Sequence, residues 1–365
     1  MKSKFYAFLL VMLVMNCRAA DYEKARPGYR FEFPRDHFNH PNYETEWWYY
    51  TGNLKAADGH RFGFELTFFR QAVAGGSIGS TWNIHDLYMA HLALSDLEKG
   101  RFYRYERINR AGPGIAGINE RTGMIWNGNW QVHLTDAQQS LVGVADKFDL
   151  HLTLVPAKPA VINGRDGISR KAEGEGQASH YISFTRLLTS GRIELEGASY
   201  QVDGSSWMDH EFFTEAMDAD QSGWDWISLQ LTDNTELMIY RLRLRDGRAD
   251  PYSSGSYIDR QGKCVFLSSS DFSMTPAGET WTSPETKGTY PIRWRLTIPR
   301  LKLDVDISTP LRTQELVSRF GPSYWEGAID VSGQENGVAL RGVGYLEMTG
   351  YAAVGGLDLG SAEVR

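Results

Sequence analysis

The chain has 365 residues, 42% of them hydrophobic and 13% aromatic, enough for two ordinary domains with sizeable cores. A formal net charge of −7 and the lack of any basic run exclude a nucleic-acid partner. No Gly-rich phosphate loop, Gly-x-Ser-x-Gly elbow or dinucleotide fingerprint occurs, so the sequence calls for no cofactor.

Lys2 and Lys4 precede an unbroken apolar run over residues 5–15, and Ala19 and Ala20 follow it. The run is too short for the ~20 residues that cross a bilayer. It predicts a signal peptide over residues 1–19 and an exported, periplasmic protein. Loss of Lys2, Lys4 and Arg18 takes the charge from −7 to −10 (−7 − 3). Cys17 offers the alternative of a lipid anchor. The other cysteine, Cys264, then has no partner within the chain, so stability must come from the core alone.

From Tyr29 onward the pattern is of strands. Phe62, Phe64, Leu66 and Phe68 alternate with Gly63, Glu65 and Thr67, the period of a half-buried strand. Asp58-Gly59 marks the turn from a partner strand over 48–54. Tyr88, Ala90, Leu92 and Leu94 alternate likewise, although residues 86–99 would also accept a helix. Trp130-Val132-Leu134 and Leu150-Leu152-Leu154 are further strands, and residues 156–176 read as a long exposed loop. After Trp226, Ile227, Leu229 and Leu231 alternate with polar residues, and short strands continue to Met348. Residues 313–320 are the best helix candidate. Many short strands and almost no helix predict barrels or sandwiches.

Two echoes suggest duplication. Trp47-Trp48 leads through a hairpin to Arg70, and Trp224-Asp225-Trp226 leads through another to Arg241. Trp126-Asn-Gly-Asn-Trp130 echoes Trp325-Glu-Gly-Ala. The sequence then divides into a leader over 1–19, a first unit over 20–212 and a second over 213–365, with Ser205 to Trp226 as the seam. Eight-stranded barrels of this size are wide enough to hold one small ligand.

Several motifs together resemble the AttH-like family, which includes carotenoid 1,2-hydratase (hydroxyneurosporene synthase). They are Phe33-Pro34-Arg35-Asp36-His37, Glu46-Trp47-Trp48-Tyr49-Tyr50, Ser179-His180-Tyr181-Ile182, Trp207-Met208-Asp209-His210-Glu211 and Gly344-Tyr345-Leu346-Glu347-Met348. The resemblance implies an all-β fold of two lipocalin-like barrels in tandem. In the hydratase branch a His-Tyr-Trp element and a later Tyr-x-Asp element are associated with catalysis. His180 and Asp209 occupy the matching positions, while Ile182 and Trp207 stand where that pattern has Trp and Tyr.

Adding water to an isolated alkene needs a proton donor, a site that tolerates a carbocation, and a water. A carboxyl in apolar surroundings has a raised pKa and can carry the proton. Asp209, beside Trp207, suits that task, with His180 to position it or to activate water. Tyr181, Trp48, Trp224, Trp226 and Glu211 are the expected ligand contacts, aromatic faces being able to stabilise a cation. Other readings stay open: Asp209 as a loop cap, His180 as part of a barrel wall, Glu46 and Arg70 as a buried pair. Neighbours in a strand alternate faces, so Trp47 and Trp48 cannot both point inward. Asp36, His37, His40, Glu44 and Glu46 could offer metal ligands, but no second spaced pair joins them and no metal is assigned. The leading function is thus an exported protein that binds an apolar, isoprenoid- or lipid-like molecule, with hydro-lyase activity through Asp209. The alternative is a non-enzymatic periplasmic carrier at the membrane surface that serves an ABC-type transporter.

Overall fold

The structure, a computed structural model, describes residues 22–73 and 85–352; the predicted leader and Cys17 lie outside them. The first thirteen strands are β1 (Thr45–Ala56), β2 (Arg61–Ala72), β3 (Asp86–Asp96), β4 (Arg101–Arg110), β5 (Ala116–Asn119), β6 (Met124–Asn127), β7 (Trp130–Leu134), β8 (Gln139–Val144), β9 (Phe148–Pro156), β10 (Val161–Ile162), β11 (Ser169–Arg170), β12 (Ala178–Leu195) and β13 (Ala198–Phe213). They form one antiparallel sheet in the order β4-β3-β2-β1-β13-β12-β9-β8-β7-β6-β5. The first and last strands pair along their length, from Thr45↔Phe213 to Ala56↔Val202, which curls the meander into a barrel. Side chains bridge its remaining gap. Arg107 of β4 donates to the Asn127 carbonyl at 3.1 Å and lies 3.9 Å over the Trp130 ring.

The chain leaves this sheet at Phe213 and enters a second at Gln221. The second contains β14 (Gln221–Leu231), β15 (Glu236–Leu244), β16 (Ser254–Ile258), β17 (Cys264–Ser268), β18 (Ser273–Pro276), β21 (Arg293–Ile298), β22 (Leu303–Ser308), β23 (Glu315–Leu316), β24 (Tyr324–Glu335) and β25 (Val338–Met348). A separate ribbon pairs β19 (Thr280–Thr282) with β20 (Thr289–Pro291). The sheet order is β17-β16-β15-β14-β25-β24-β22-β21-β18. Again the first strand pairs with the last, and again the gap falls after the fourth strand. The first predicted echo, β1–β2 against β14–β15, therefore joins equivalent hairpins. The second does not: β6–β7 lie mid-meander, whereas Trp325 lies in β24, next to the last strand.

Period-two alternation fills each interior. Trp48, Tyr50, Phe62, Phe64 and Leu66 are buried in one core, and Ile227, Leu229, Trp294, Trp325 and Leu346 in the other. Side chains occupy the space that the barrel reading reserved for a ligand. Residues 86–99 form strand β3 and its turn, not a helix, because alternate residues have a core to enter on one face. Within 313–320 only the short β23 is regular; among the described residues helical geometry is confined to 3-10 turns at Arg35–His37, Glu120–Thr122 and Pro299–Leu301. The expected exposed loop over 156–176 instead buries Lys158, Asn163, Ser169 and Lys171.

The barrels stand back to back. The outer face of β12-β13-β1-β2 meets the outer face of β15-β14-β25-β24. Asn53 donates to the Gly344 carbonyl at 2.9 Å, Gln230 to the Ser206 carbonyl at 2.9 Å, and Arg186 to Glu236 at 2.5 Å. The approach is close: a Cβ added to Gly63 would lie 2.8 Å from Ala328 Cβ.

Candidate functional site

Residues directly opposite in an antiparallel pair share a face of the sheet. On the first barrel this sets Thr67, Tyr49, Asp209 and Ser183 in one row across β2, β1, β13 and β12. On the second it sets Glu326, Glu347, Trp226 and Tyr240 in a row across β24, β25, β14 and β15. Both rows face the seam. Tyr49, Tyr181, Trp207, Trp226, Met238 and Tyr345 make a single buried cluster there, with Trp47 and Trp224 at its edge.

Asp209 is 3% exposed. Its Oδ1 accepts from Ser183 Oγ at 2.5 Å and from Trp207 Nε1 at 2.6 Å, and its Oδ2 accepts from the Tyr181 hydroxyl. Trp226 of the second barrel donates to that hydroxyl at 3.0 Å, so both barrels hold the constellation. Burial lifts the Asp209 pKa to about 7, against the three donors that favour its anion. Glu211, two residues on, lies 3.6 Å from the Lys171 ammonium, which sits 3.9 Å over the Tyr240 ring.

Beyond Asp209 and the Lys171-paired Glu211, the seam holds Glu65 of β2, Glu326 of β24 and Glu347 of β25. Among the described residues no Lys or Arg forms an ion pair with any of them, and burial, reinforced for Glu326 and Glu347 by neighbouring carboxyls, raises all three pKa values. Glu65 Oε1 accepts from Thr67 at 2.8 Å, and Glu347 Oε1 accepts from Trp224 Nε1 at 3.2 Å. Among the described residues, neither oxygen of Glu326 has a hydrogen-bond partner, and nor do the Tyr49 and Tyr345 hydroxyls. His91, 2.6 Å from the Tyr324 hydroxyl, brings no charge, because burial holds its pKa down to about 4.

The structure thus gathers Asp209, Trp207, Tyr181, Trp226, Trp224 and Glu211 at one seam. His180 and Trp48 lie on the other side of the sheet. His180 neighbours Tyr181 in a strand, so it points away from Asp209; its Nδ1 donates to the Gly167 carbonyl at 2.8 Å and its ring lies 4.3 Å from Tyr29. The expected His180–Asp209 pairing is therefore not formed. Trp48 enters the first core, stacked 4.7 Å from His210, with Nε1 on the His37 carbonyl at 2.8 Å. Glu65, Glu326, Glu347, Tyr49, Lys171 and Tyr240 were not singled out as site residues from the sequence. Their signal was present but ambiguous: polar residues at the outward positions of amphipathic strands usually face water.

The early acids and histidines close one end of the first barrel. Glu46 Oε1 lies 2.7 Å from His40 Nδ1 and 2.8 Å from His210 Nε2, while Oε2 accepts from Arg70 Nε at 3.1 Å and the His40 amide at 3.0 Å. His40, Glu46 and His210 are close enough to share a metal ion. Here the Arg70 guanidinium supplies positive charge beside that carboxylate, and both Glu46 oxygens are occupied by hydrogen bonds.

A family model described as AttH-like matches residues 24–351. No curated protein matches the sequence. Among solved structures, a putative AttH from Nitrosomonas europaea is 33% identical, with a TM-score of 0.82 over 91% of this chain and 100% of that one. Kievitone hydratase from Nectria haematococca is 16% identical, with a TM-score of 0.67 over 91% and 97% of the two chains. The protein CghA is 12% identical, with a TM-score of 0.53 over 92% and 97%. The last two likenesses are of fold.

Proposed function

The chain belongs to the AttH-like family, and on that premise we propose that it binds an apolar, isoprenoid- or lipid-like molecule in the seam between its barrels and adds water to a carbon–carbon double bond there. The observation that carries the reading is Asp209: a buried carboxyl, its pKa near neutral, walled by Trp207, Tyr181 and Trp226. Such a group exchanges a proton at working pH, and the aromatic faces suit a developing carbocation. A protein of this fold is named a hydratase, which supports water addition as the reaction class. Filled barrel interiors favour a site in the seam over a carrier that encloses its cargo within a barrel. The leader read from residues 1–19 supports an activity after export, in the periplasm.

Asp209→Asn is expected to lower hydration of a polyene by about 10²–10⁴-fold, the usual size of a lost proton-transfer group, with an unchanged circular dichroism spectrum. Undiminished turnover in the variant would remove Asp209 from the reaction. Mass spectrometry of the native protein tests the ligand class and the leader together. A retained isoprenoid and a start after Ala19 are expected.

A further inference from the structure

Which way Asp209 moves its proton is decided by what surrounds it. Ser183, Tyr181 and Trp207 all point hydrogen atoms at its two oxygens. Three donors on one carboxyl favour the anion against the burial that lifts its pKa to about 7, and they occupy the oxygen positions that an acid proton would need. Its opposite number across the seam is built the other way. Glu347 accepts one bond, from Trp224, and stands in a row with Glu326 and near Glu65, where among the described residues no Lys or Arg pairs with these acids. Carboxyls so placed cannot all be charged, and the group must hold protons.

An acidic cluster alone would say little, but polar groups point into this one unanswered. The Tyr49 hydroxyl, 7% exposed, approaches Glu326 without completing a hydrogen bond. The Tyr345 hydroxyl, 1% exposed, lies near Ser95 and closes no well-formed hydrogen bond among the described residues. Glu347, Trp47 and Trp224 keep partial exposure, so solvent reaches the seam at this end, whereas Asp209 lies deeper.

We propose that Glu347 of the second barrel is the proton donor of the site and Asp209 of the first its proton acceptor, with the substrate double bond held between two carboxyls from different domains. This rests on the hydratase reading above. The Glu347 proton forms a C–H bond with one alkene carbon at the expense of the π pair. The cation left on the neighbouring carbon faces Trp224, Trp226 and Tyr49. A water oxygen forms the C–O bond and its proton passes to an Asp209 oxygen. Proton exchange through solvent then returns Asp209 to its anion and Glu347 to its acid. The sum is alkene plus water to alcohol.

Squalene dispersed in detergent serves as the probe, since its trisubstituted double bonds protonate to tertiary cations. Glu347→Gln and Asp209→Asn should each lose about 10²–10⁴-fold in hydration. Azide attacks a cation without shedding a proton, so it should restore turnover to D209N, as the azide adduct, and not to E347Q. Squalene quenching of tryptophan fluorescence should persist in both, showing that the seam is intact. Rescue of E347Q instead, or wild-type turnover by it, would overturn the assignment. If the wild-type protein adds no water to squalene, the hydratase reading fails for isoprenoids. Infrared spectroscopy at pH 7 then still decides where the proton sits. The protonated-carboxyl band should weaken more in E347Q than in D209N, and an unchanged band in E347Q would refute the placement.

Discussion

Glu326 is the clearest sign that the seam is electrostatically incomplete. Both its oxygens are buried without partners, and Glu65 and Glu347 add their fields to the cost of burial, so its pKa stands well above the ordinary 4.5. Asp209 shares the condition, lifted from 3.8 to about 7. A carboxyl whose folded pKa is raised binds its proton more tightly in the folded protein. Its contribution to stability is full below the unfolded pKa and is lost as pH climbs through the folded one. For Asp209 that rise corresponds to roughly 4 kcal/mol lost between about pH 4 and pH 7. Glu326→Gln should therefore barely change the melting temperature at pH 5 and should raise it at pH 9, flattening the alkaline side of the stability profile. Thermal melts across that range check it, and equal shifts at both pH values would count against buried, proton-holding acids.

The strand pair that opens each barrel carries the same device, an acid on the first strand set against an arginine on the second. Glu46 lies directly opposite Arg70, and Asp225 opposite Arg241. Glu46, Arg70 and Asp225 are buried and Arg241 is half-buried, with Asp225 also 2.5 Å from Arg243. Burial alone would raise the Glu46 pKa. The charge on His40 and the bonds from His210 and His40 outweigh it and hold it far below the usual range. Glu46→Gln removes the buried carboxylate that Arg70 and His40 share, leaving Arg70 with Asp86 and His40 with Asp36, and should cost about 3 kcal/mol in urea denaturation at neutral pH. Glu46 adds stability above its unfolded pKa and loses it as pH falls, so the penalty should shrink in acid. This much was legible in the sequence: the tryptophan-led hairpins, their terminal arginines and the possible Glu46–Arg70 pair all stood at matching places. What was not legible lay on the outward faces. Glu65 and Thr67 alternate with phenylalanines as a solvent face would, and Glu347 stands one residue from a buried Leu346. Period two reveals that a strand has two faces but not that a second barrel covers the outer one. His210 was hidden for a related reason, since it reaches Glu46 only through the pairing of β1 with the distant β13.

At the scale of the whole molecule, the site exists only because two filled barrels meet. Both interiors are packed with buried side chains, and each outer face alone would present its acids and aromatic rings to water. What sets the depth of the seam is how closely the sheets approach, and Gly63 is a point of close approach. It lies on the face of β2 that carries Glu65 and Thr67, with Ala328 and Tyr345 of the second barrel against it. A leucine there cannot be absorbed by a flexible neighbour, because the first atom it meets is a Cβ fixed to the β24 backbone. The barrels must separate locally, admitting water to the carboxyl rows and loosening the bond from Trp226 to Tyr181 that ties the second barrel to the Asp209 constellation. Water in the seam relieves the desolvation that lifts the Asp209 pKa, so that pKa should fall back toward 3.8. Gly63→Leu should therefore keep both barrels folded, with an unchanged far-ultraviolet spectrum, yet red-shift tryptophan emission and lower hydration as strongly as a substitution at Asp209. The pH profile separates this from general unfolding. In the leucine variant the residual activity should lose its inflection near pH 7, whereas a merely destabilised protein would keep the inflection and lose amplitude.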